Sequence, residues 1–314
     1  NIKRILDFFV YLLILNGAIG LVQYGIYQHD DAAIGFYGRS SLQGHGLAIL
    51  YFTAALYVIS KSFNKINATK SGALLIFMLS CFYGAGLVAA FLAVALSTLL
   101  LSKNKIKSSL MLFMVLLTLF GLGWLVSPTT MQYNYNILLM FVDGLFNITS
   151  TGVADTYGLP RKLTAWILYL QAITETPSNI ITGFGGGTYN SRAAFLLNGD
   201  YSSISLLPVS VTEVHKHYVM PLWSSPILSQ AHSDGTMNQP FSSVLALLAE
   251  YGLLALILVT TGLMRLRNII LKSSMSSNRT TLLINALFIF FALVCLFDNI
   301  LEYPEIIMPF IFFS

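Results

Sequence analysis

The chain has 314 residues, 56% of them hydrophobic and only 10% charged, with a mean hydropathy of +0.73 and a formal net charge of +4. A soluble domain carries about a quarter charged residues, so the composition excludes a soluble globule and points to a protein solvated by lipid. Nucleic-acid binding is excluded too, because the basic residues are scattered in short loops and form no stripe interleaved with aromatics.

A bilayer core takes roughly 20 apolar residues per helical span. In chain order such stretches cover Ile5–Ile26, Gln43–Ser60, Ser71–Leu101, Ser108–Val126, Phe241–Met264 and Leu282–Phe297, with a shorter apolar tail from Ile306. Ser71–Leu101 is too long for one span. Its middle reads SCFYGAGL, and Gly84 and Gly86 predict a turn there between two short antiparallel helices. Counting the pair and the tail as spans predicts an all-α polytopic transmembrane bundle of about eight crossings. The chain starts at Asn1 and no basic-then-apolar segment ends at a small-residue cleavage site, so the expectation is a truncated chain without a signal peptide. Cys81 and Cys295 lie in apolar segments and are expected to be buried free thiols.

Charge orients these spans. Lys3, Arg4, Lys61, Lys65, Lys70, Lys103, Lys105, Lys107, Arg265, Arg267, Lys272 and Arg279 fall in loops of one parity, which the positive-inside rule makes cytoplasmic. Arg39, Arg161, Lys162, Arg192 and Lys216 fall on the other side, with all five histidines. The chain then divides into transmembrane helices over 1–126 with a short outer loop at 27–42, a large extracytoplasmic loop over 127–240, and C-terminal transmembrane helices over 241–314. A loop that long is usually functional. Within it, RKLTAWILYLQAI places Leu163, Trp166, Ile167, Leu170 and Ile173 at helical spacing, which predicts an amphipathic helix lying on the membrane surface and ending at Pro177.

The chemistry-bearing residues concentrate in the outer regions. ITGFGGGTYNSR matches neither the dinucleotide fingerprint nor the P-loop; it reads as a flexible turn or as a backbone-amide nest for phosphate to which Arg192 adds charge. His215 and His217 form an HxH pair that on a strand would turn both rings to one side, but no Cys or carboxylate stands at ligand spacing, so surface histidines are the simpler reading and no metal is assigned. His232 is a candidate general base, since histidine titrates near neutrality. Glu250 lies inside a predicted span, where an ionisable side chain is costly; it reads as a catalytic group or as a residue in a polar cavity or near the interface. Arg39, in FYGRSSLQGHGLA, stands at an outer helix mouth, to grip phosphate in a forked geometry or to snorkel to headgroups. Asp298, Glu302 and Glu305 read as a solvated acidic rim.

Several of these segments, in order, resemble the O-antigen ligase and polymerase superfamily of bacterial membrane glycosyltransferases. GRSSLQGHGLAILYF resembles its arginine-and-glycine segment before a helix, and the split Ser71–Leu101 stretch resembles its paired short helices. PRKLTAWILYLQAITETPSNIITGFGGGTY resembles its Arg/Trp helix running into a glycine turn, and FSSVLALLAEYGLLALI resembles its helix carrying Glu-x-Gly after the large loop. Two departures stand out. The family's Ser-Arg at the paired-helix turn is replaced by YGAG, and the His-Asn pair that ligases place before the glutamate is replaced by Phe241 and Ser242. They favour a polysaccharide polymerase over a ligase that transfers glycan to a lipid A-core acceptor. A transporter is the third reading, although no pseudo-symmetric pair of broken helices is visible.

The resemblance implies polymerisation of polyprenyl-diphosphate-linked oligosaccharide on the outer face of the bacterial inner membrane, without metal or cofactor. Arg39, Arg161 and Arg192 would hold the diphosphate, and His232 or Glu250 would be the base. Membrane lipids, and a flippase or chain-length regulator, are the implied partners.

Overall fold

The computed structural model describes residues 2–27, 35–37, 41–62, 64–81, 83–102, 104–106, 161–197, 212–223, 242–273 and 278–302, with isolated positions between and after them. No strand occurs among the described residues. The longer helices are α1 (Ile2–Tyr27), α2 (Ser41–Lys61), α3 (Lys65–Ser80) and α4 (Gly84–Leu101), then α5 (Arg161–Glu175). Short helices follow: α6 (Asn179–Thr182), α7 (Arg192–Leu197), α8 (Glu213–Tyr218) and α9 (Met220–Trp223). Two long ones complete the order, α10 (Ser243–Ser273) and α11 (Asn278–Phe297).

Four of them are long and apolar enough to cross a membrane: Arg4–Ile26, Gly84–Leu101, Ser243–Lys272 and Thr280–Phe297. Leu15 and Val22 of α1, Leu96 and Leu100 of α4, and Ile257 and Leu258 of α10 are exposed. A bilayer is the environment that covers such surface. This is fewer than the eight crossings expected. α2 is a full helix, but Gln43, His45 and Lys61 sit near its ends, and α3 has only 16 residues. The predicted Ser108–Val126 span and the tail from Ile306 lie almost wholly outside the described residues.

The chain forms two compact units. The first comprises Asn1–Leu112, Leu263–Val294 and Tyr303–Ser314, the second Phe113–Gly262 and Cys295–Glu302. In the first unit α2 is the central element, buried almost continuously from Leu47 to Ala55, as expected of a helix apolar on every side. α3 packs against it antiparallel, and α1 packs chiefly against α3. Lys61 at the end of α2 pairs with Asp7 near the start of α1, and Lys70 donates to the Tyr11 hydroxyl at 2.6 Å. The basic residues that the charge argument grouped, from Arg4 to Lys70, therefore gather toward one end of this unit.

At the other end a polar network holds the chain after α1. Asn16 donates to the Tyr51 hydroxyl (2.9 Å) and accepts from the Phe36 amide (2.7 Å). Gln23 accepts from the Gly35 amide and donates to its carbonyl, at 2.8 and 3.1 Å. The amide side chains of α1 thus complete the backbone hydrogen bonding of a segment that belongs to no long helix.

The Ser71–Leu101 stretch is split, as its length demanded, but three residues earlier than Gly84 and Gly86 suggested. α3 ends at Ser80, Cys81 begins the turn, and Gly84 already opens α4. The reason is packing. The Tyr83 ring lies where a Cβ on Gly86 would be and stacks on His45 at 4.2 Å, so Gly86 makes room for an aromatic lid over the turn. Asn64 caps the start of α3 by accepting from Asn67 N–H at 2.8 Å. Both cysteines are buried and unpaired with each other, as expected.

α1 and α3 approach closely at Gly17, where a Cβ would overlap the Phe77 ring; Gly25 on the same helix meets nothing within 4 Å. Gly17→Val is expected to overpack this crossing and destabilise the protein by about 1–3 kcal/mol. Gly25→Val should be near neutral. Detergent melting curves of the two variants check the contrast; equal melting points would show that the crossing is not tight.

Candidate functional site

The second unit is organised by a break in α10. Ser242 opens this helix, its hydroxyl accepting from Leu245 N–H at 3.1 Å, which is the usual work of a serine cap. The helix runs regularly until Gly252, whose φ of 72° and ψ of −174° are not helical. A break removes the donors that would have bonded the carbonyls one turn back. The Phe184 amide bonds the Ala249 carbonyl at 2.7 Å, and the Gly185 amide bonds the Glu250 carbonyl at 2.9 Å.

The glycine-rich segment thus docks backbone to backbone on the broken helix. Gly183 has φ 73°, and a Cβ on it would overlap the Glu250 carbonyl; a Cβ on Gly252 would overlap the carbonyl of Ile181. Only glycine permits both the positive φ and the contact.

The Glu250 carboxylate completes the lock. It is 0% exposed, and its oxygens accept from the amides of Gly187 (2.6 Å), Tyr189 (3.2 Å) and Ser191 (2.8 Å). A buried carboxylate is costly unless its charge is met by donors, and hydrogen bonds to an ionised acceptor are the strong ones. The ITGFGGGTYNSR segment is therefore an amide nest, and the anion that fills it is the chain's own glutamate. With both oxygens engaged, Glu250 presents no open face to a substrate in this arrangement.

A small aromatic core backs the nest. Tyr189 stacks against Phe184 and meets Tyr169 edge-on, with ring centroids 5.8 and 6.2 Å away. Burial pushes the Tyr189 phenol well above its ordinary pKa, so it stays neutral. His215 is fully buried; its Nδ1 lies 2.5 Å from the Tyr189 carbonyl and donates to it, while its ring meets Phe195 edge-on. The HxH pair lies on helix α8 instead of a strand, so the two rings diverge and His217 faces outward. His215 is a core residue that holds the loop, and no group of three or more metal-ligating side chains occurs among the described residues.

α5 is the amphipathic helix expected, although the side that packs inward carries Thr164, Ala165, Tyr169 and Ala172. Of the predicted apolar stripe, Leu163, Trp166, Ile167 and Ile173 are only half-buried, and Leu170 is exposed. The small residues let the helix approach the Tyr189 core closely, which leaves apolar surface outside.

Beside the nest lies a cavity of about 410 Å³, lined by Ser191, Ser243, Tyr251, Asn299 and Glu302 together with Ala193, Ala246, Leu247 and Leu301. The 298–302 segment that forms one wall is held twice. Lys162 on α5 pairs with the Asp298 carboxylate at 2.6 Å and donates to the Phe297 carbonyl. Ser243 donates through its amide and hydroxyl to the Asp298 carbonyl, both at 3.1 Å, and its oxygen accepts from Leu301 N–H at 2.9 Å. The acidic cluster is thus no uniform rim: Asp298 is paired, Glu302 lines a cavity, and Glu305 lies outside the described residues.

Of the other residues singled out from the sequence, Arg39 and His232 also lie outside the described residues. Arg161 and Arg192 open α5 and α7, and only their backbones are described. Arg192 follows Ser191, which caps α7 by accepting from Ala194 N–H at 3.0 Å, so its backbone is set at the edge of the cavity. Sequence reasoning missed Asn299 and Tyr251. The Tyr beside Glu250 was the available signal, because a glutamate turned inward to the loop sends its neighbour to another side of the helix.

No family model, curated protein or solved structure matches the chain.

Replacing Glu250 by Gln leaves a carboxamide whose NH2 must face backbone donors, and each orphaned buried N–H costs about 1–3 kcal/mol. Amide exchange across Gly187–Ser191 in Glu250→Gln is expected to accelerate at least roughly tenfold. Hydrogen-exchange mass spectrometry of that segment is the measurement; unchanged protection would mean that the carboxylate does not hold the loop.

Proposed function

We propose that the chain polymerises polyprenyl-diphosphate-linked oligosaccharide repeat units into a surface polysaccharide, by glycosyl transfer on the outer face of the bacterial inner membrane. One observation carries the reading. Two of the four segments that carry the family resemblance, the α5 helix running into the glycine turn and the helix with Glu-x-Gly, are interlocked through Glu250. The lock stands beside a cavity lined by both polar and apolar side chains, and remote segments that form one such unit suit a site better than unrelated loops do.

In this reading the polyprenyl tail stays in the bilayer and the sugars lie outside, so the reaction takes place at the outer ends of the spans. The acceptor hydroxyl attacks the anomeric carbon of the donor glycan, the carbon–oxygen bond to the diphosphate breaks, and the electron pair leaves with the diphosphate. Arg39, Arg161 and Arg192 neutralise that developing charge, which is why the reading needs no metal. His232 is the base that the resemblance brings forward, while Glu250 holds the loop. The twelve basic residues grouped by charge face the cytoplasm and the 127–240 region faces out. A flippase supplies the lipid-linked repeat unit and a chain-length regulator is a natural neighbour.

The topology has a direct test. With Cys81 and Cys295 buried, cysteines placed at Lys103 and Lys216 are the accessible thiols for an impermeant maleimide on intact cells. Position 216 is expected to react and position 103 to stay silent. The reverse pattern would invert the orientation.

For the activity, charge-assisted hydrogen bonds to a diphosphate contribute about 1.5–3 kcal/mol each, so Arg39→Ala or Arg161→Ala should slow transfer roughly ten- to hundredfold or more. Lysine should restore only part, since an ammonium keeps the charge and loses the fork. Glycan chain length at matched protein level is the readout. Wild-type chains in both alanine variants would remove the arginine assignment. Full-length chains that fail only to reach a lipid A-core acceptor would identify a ligase instead.

A further inference from the structure

We propose that the turn formed by α6 and the start of the glycine segment is a re-entrant element seated inside the outer leaflet, with Ile180 and Ile181 against lipid acyl chains. This placement is independent of the glycosyl-transfer reading and holds for any chemistry carried out beside the lock.

The depth follows from two helices. The apolar part of α11, Thr280–Phe297, has 18 residues, which make about 27 Å of helix. A hydrocarbon core is about 30 Å thick, so the whole stretch is needed to cross it, and Phe297, at the end opposite Arg279, stands at the outer boundary. The ion pair of Lys162 with Asp298 lies directly beyond Phe297, and such charges belong at headgroup level. Ser243 is bonded to the Asp298 carbonyl through its amide and its hydroxyl, both at 3.1 Å, so α10 starts at that same level. Gly252 comes roughly nine residues later, about 13 Å along the helix, within the roughly 15 Å of one leaflet's hydrocarbon.

The 180–185 segment meets α10 at this depth. A Cβ on Gly252 would overlap the Ile181 carbonyl, and the Phe184 and Gly185 amides bond the Ala249 and Glu250 carbonyls. Ile180 and Ile181 are nevertheless exposed, as are Tyr251, Leu253 and Leu254 around the break. Leu253 and Leu254 lie one helical turn from the exposed Ile257 and Leu258. The apolar surface that faces lipid on the span therefore extends up to Gly252, where Ile181 joins it. No charged residue occurs from Thr176 to Ser191.

The hydrogen bonding of the segment suits lipid. Irregular backbone at membrane depth must have its polar groups satisfied by the protein. The amides of Asn179, Ile180 and Gly183 bond the carbonyls of Thr176, Pro177 and Asn179, at 3.0, 3.2 and 2.8 Å. Those of Gly187, Tyr189 and Ser191 bond the Glu250 carboxylate. A loop in water can leave such amides to solvent. The lock is thus what allows an irregular segment to persist in the leaflet.

The test uses the full chain in nanodiscs of phosphatidylethanolamine and phosphatidylglycerol. A nitroxide on cysteine is placed singly at Ile180, Ile181, Leu258 and Lys216, the native Cys81 and Cys295 being buried. Oxygen concentrates in hydrocarbon, whereas a nickel chelate stays in water. The oxygen-to-nickel collision ratio at 180 and 181 is expected within about twofold of that at 258 and at least roughly tenfold above that at 216, since polar solutes are excluded from hydrocarbon. On the unsubstituted chain, a phospholipid with a diazirine in its tail should insert on illumination into the peptide that carries Ile180 and Ile181. Nickel collisions at both positions as frequent as at 216 would leave the turn in water and overturn the placement. Protection from both agents would overturn it by covering the turn with protein, and so would the absence of a tail adduct. Neither readout depends on glycan transfer, so a chain that fails to make polymer leaves the placement standing.

Discussion

The carboxylate of Glu250, removed from water and placed among three backbone amides, is the interaction on which the second unit depends. A single negative charge in an apolar helix is destabilising unless donors surround it. The donors come from a glycine-rich segment that has little regular structure of its own. Each side therefore supplies what the other lacks: the loop gains an acceptor for amides that no helix or strand would satisfy, and the glutamate gains partners at membrane-helix burial. The break at Gly252 extends the arrangement, since the Ala249 and Glu250 carbonyls receive loop amides as well. Five hydrogen bonds to residues 249–250 follow from one buried charge and one glycine with positive φ.

The same principle recurs in the first unit with neutral groups. Asn16 and Gln23, both on an apolar helix, hold Gly35 and Phe36 through side-chain amides. In both units a polar side chain on a long helix completes the backbone hydrogen bonding of a short segment that could not satisfy itself. The glycine-rich segment leads directly into Arg192, whose backbone lies one residue beyond the held Ser191, so its placement is inherited from the helix that holds the segment.

Much of the helical framework was legible from hydropathy. The boundaries of α1, α2 and α11, the splitting of the Ser71–Leu101 stretch and the helix beginning at Arg161 all follow from runs of apolar residues, caps and breakers. The turn between α3 and α4 was displaced because Gly86 serves a contact with the Tyr83 ring, and sequence alone cannot distinguish a glycine needed for a turn from one needed for an approach. The HxH pair was read with strand geometry in mind; Thr212 caps a helix there, with its hydroxyl accepting from His215 N–H at 3.3 Å, and a helical register sends residues two apart to different sides. The inward face of α5 is built of small residues, which a periodicity count weighted toward large apolar side chains passes over.

By itself the sequence determined that the chain is apolar and helical, that a charged residue in FSSVLALLAEYGLLALI must find partners, and that the glycines before Arg192 must bend the backbone. Each of these is local: it follows from composition within one span or from the stereochemistry of one residue. Only the tertiary structure decided that the partners of Glu250 are the amides of Gly187, Tyr189 and Ser191, from 59 to 63 positions away. Backbone amides are carried by every residue except proline, so no side-chain pattern announces which of them will serve. The cavity wall has the same origin: Asn299 and Glu302 meet Ser191 and Tyr251 because Lys162 and Ser243 draw one turn against two helices, and a site assembled by packing across such distances leaves no spacing in the chain to read.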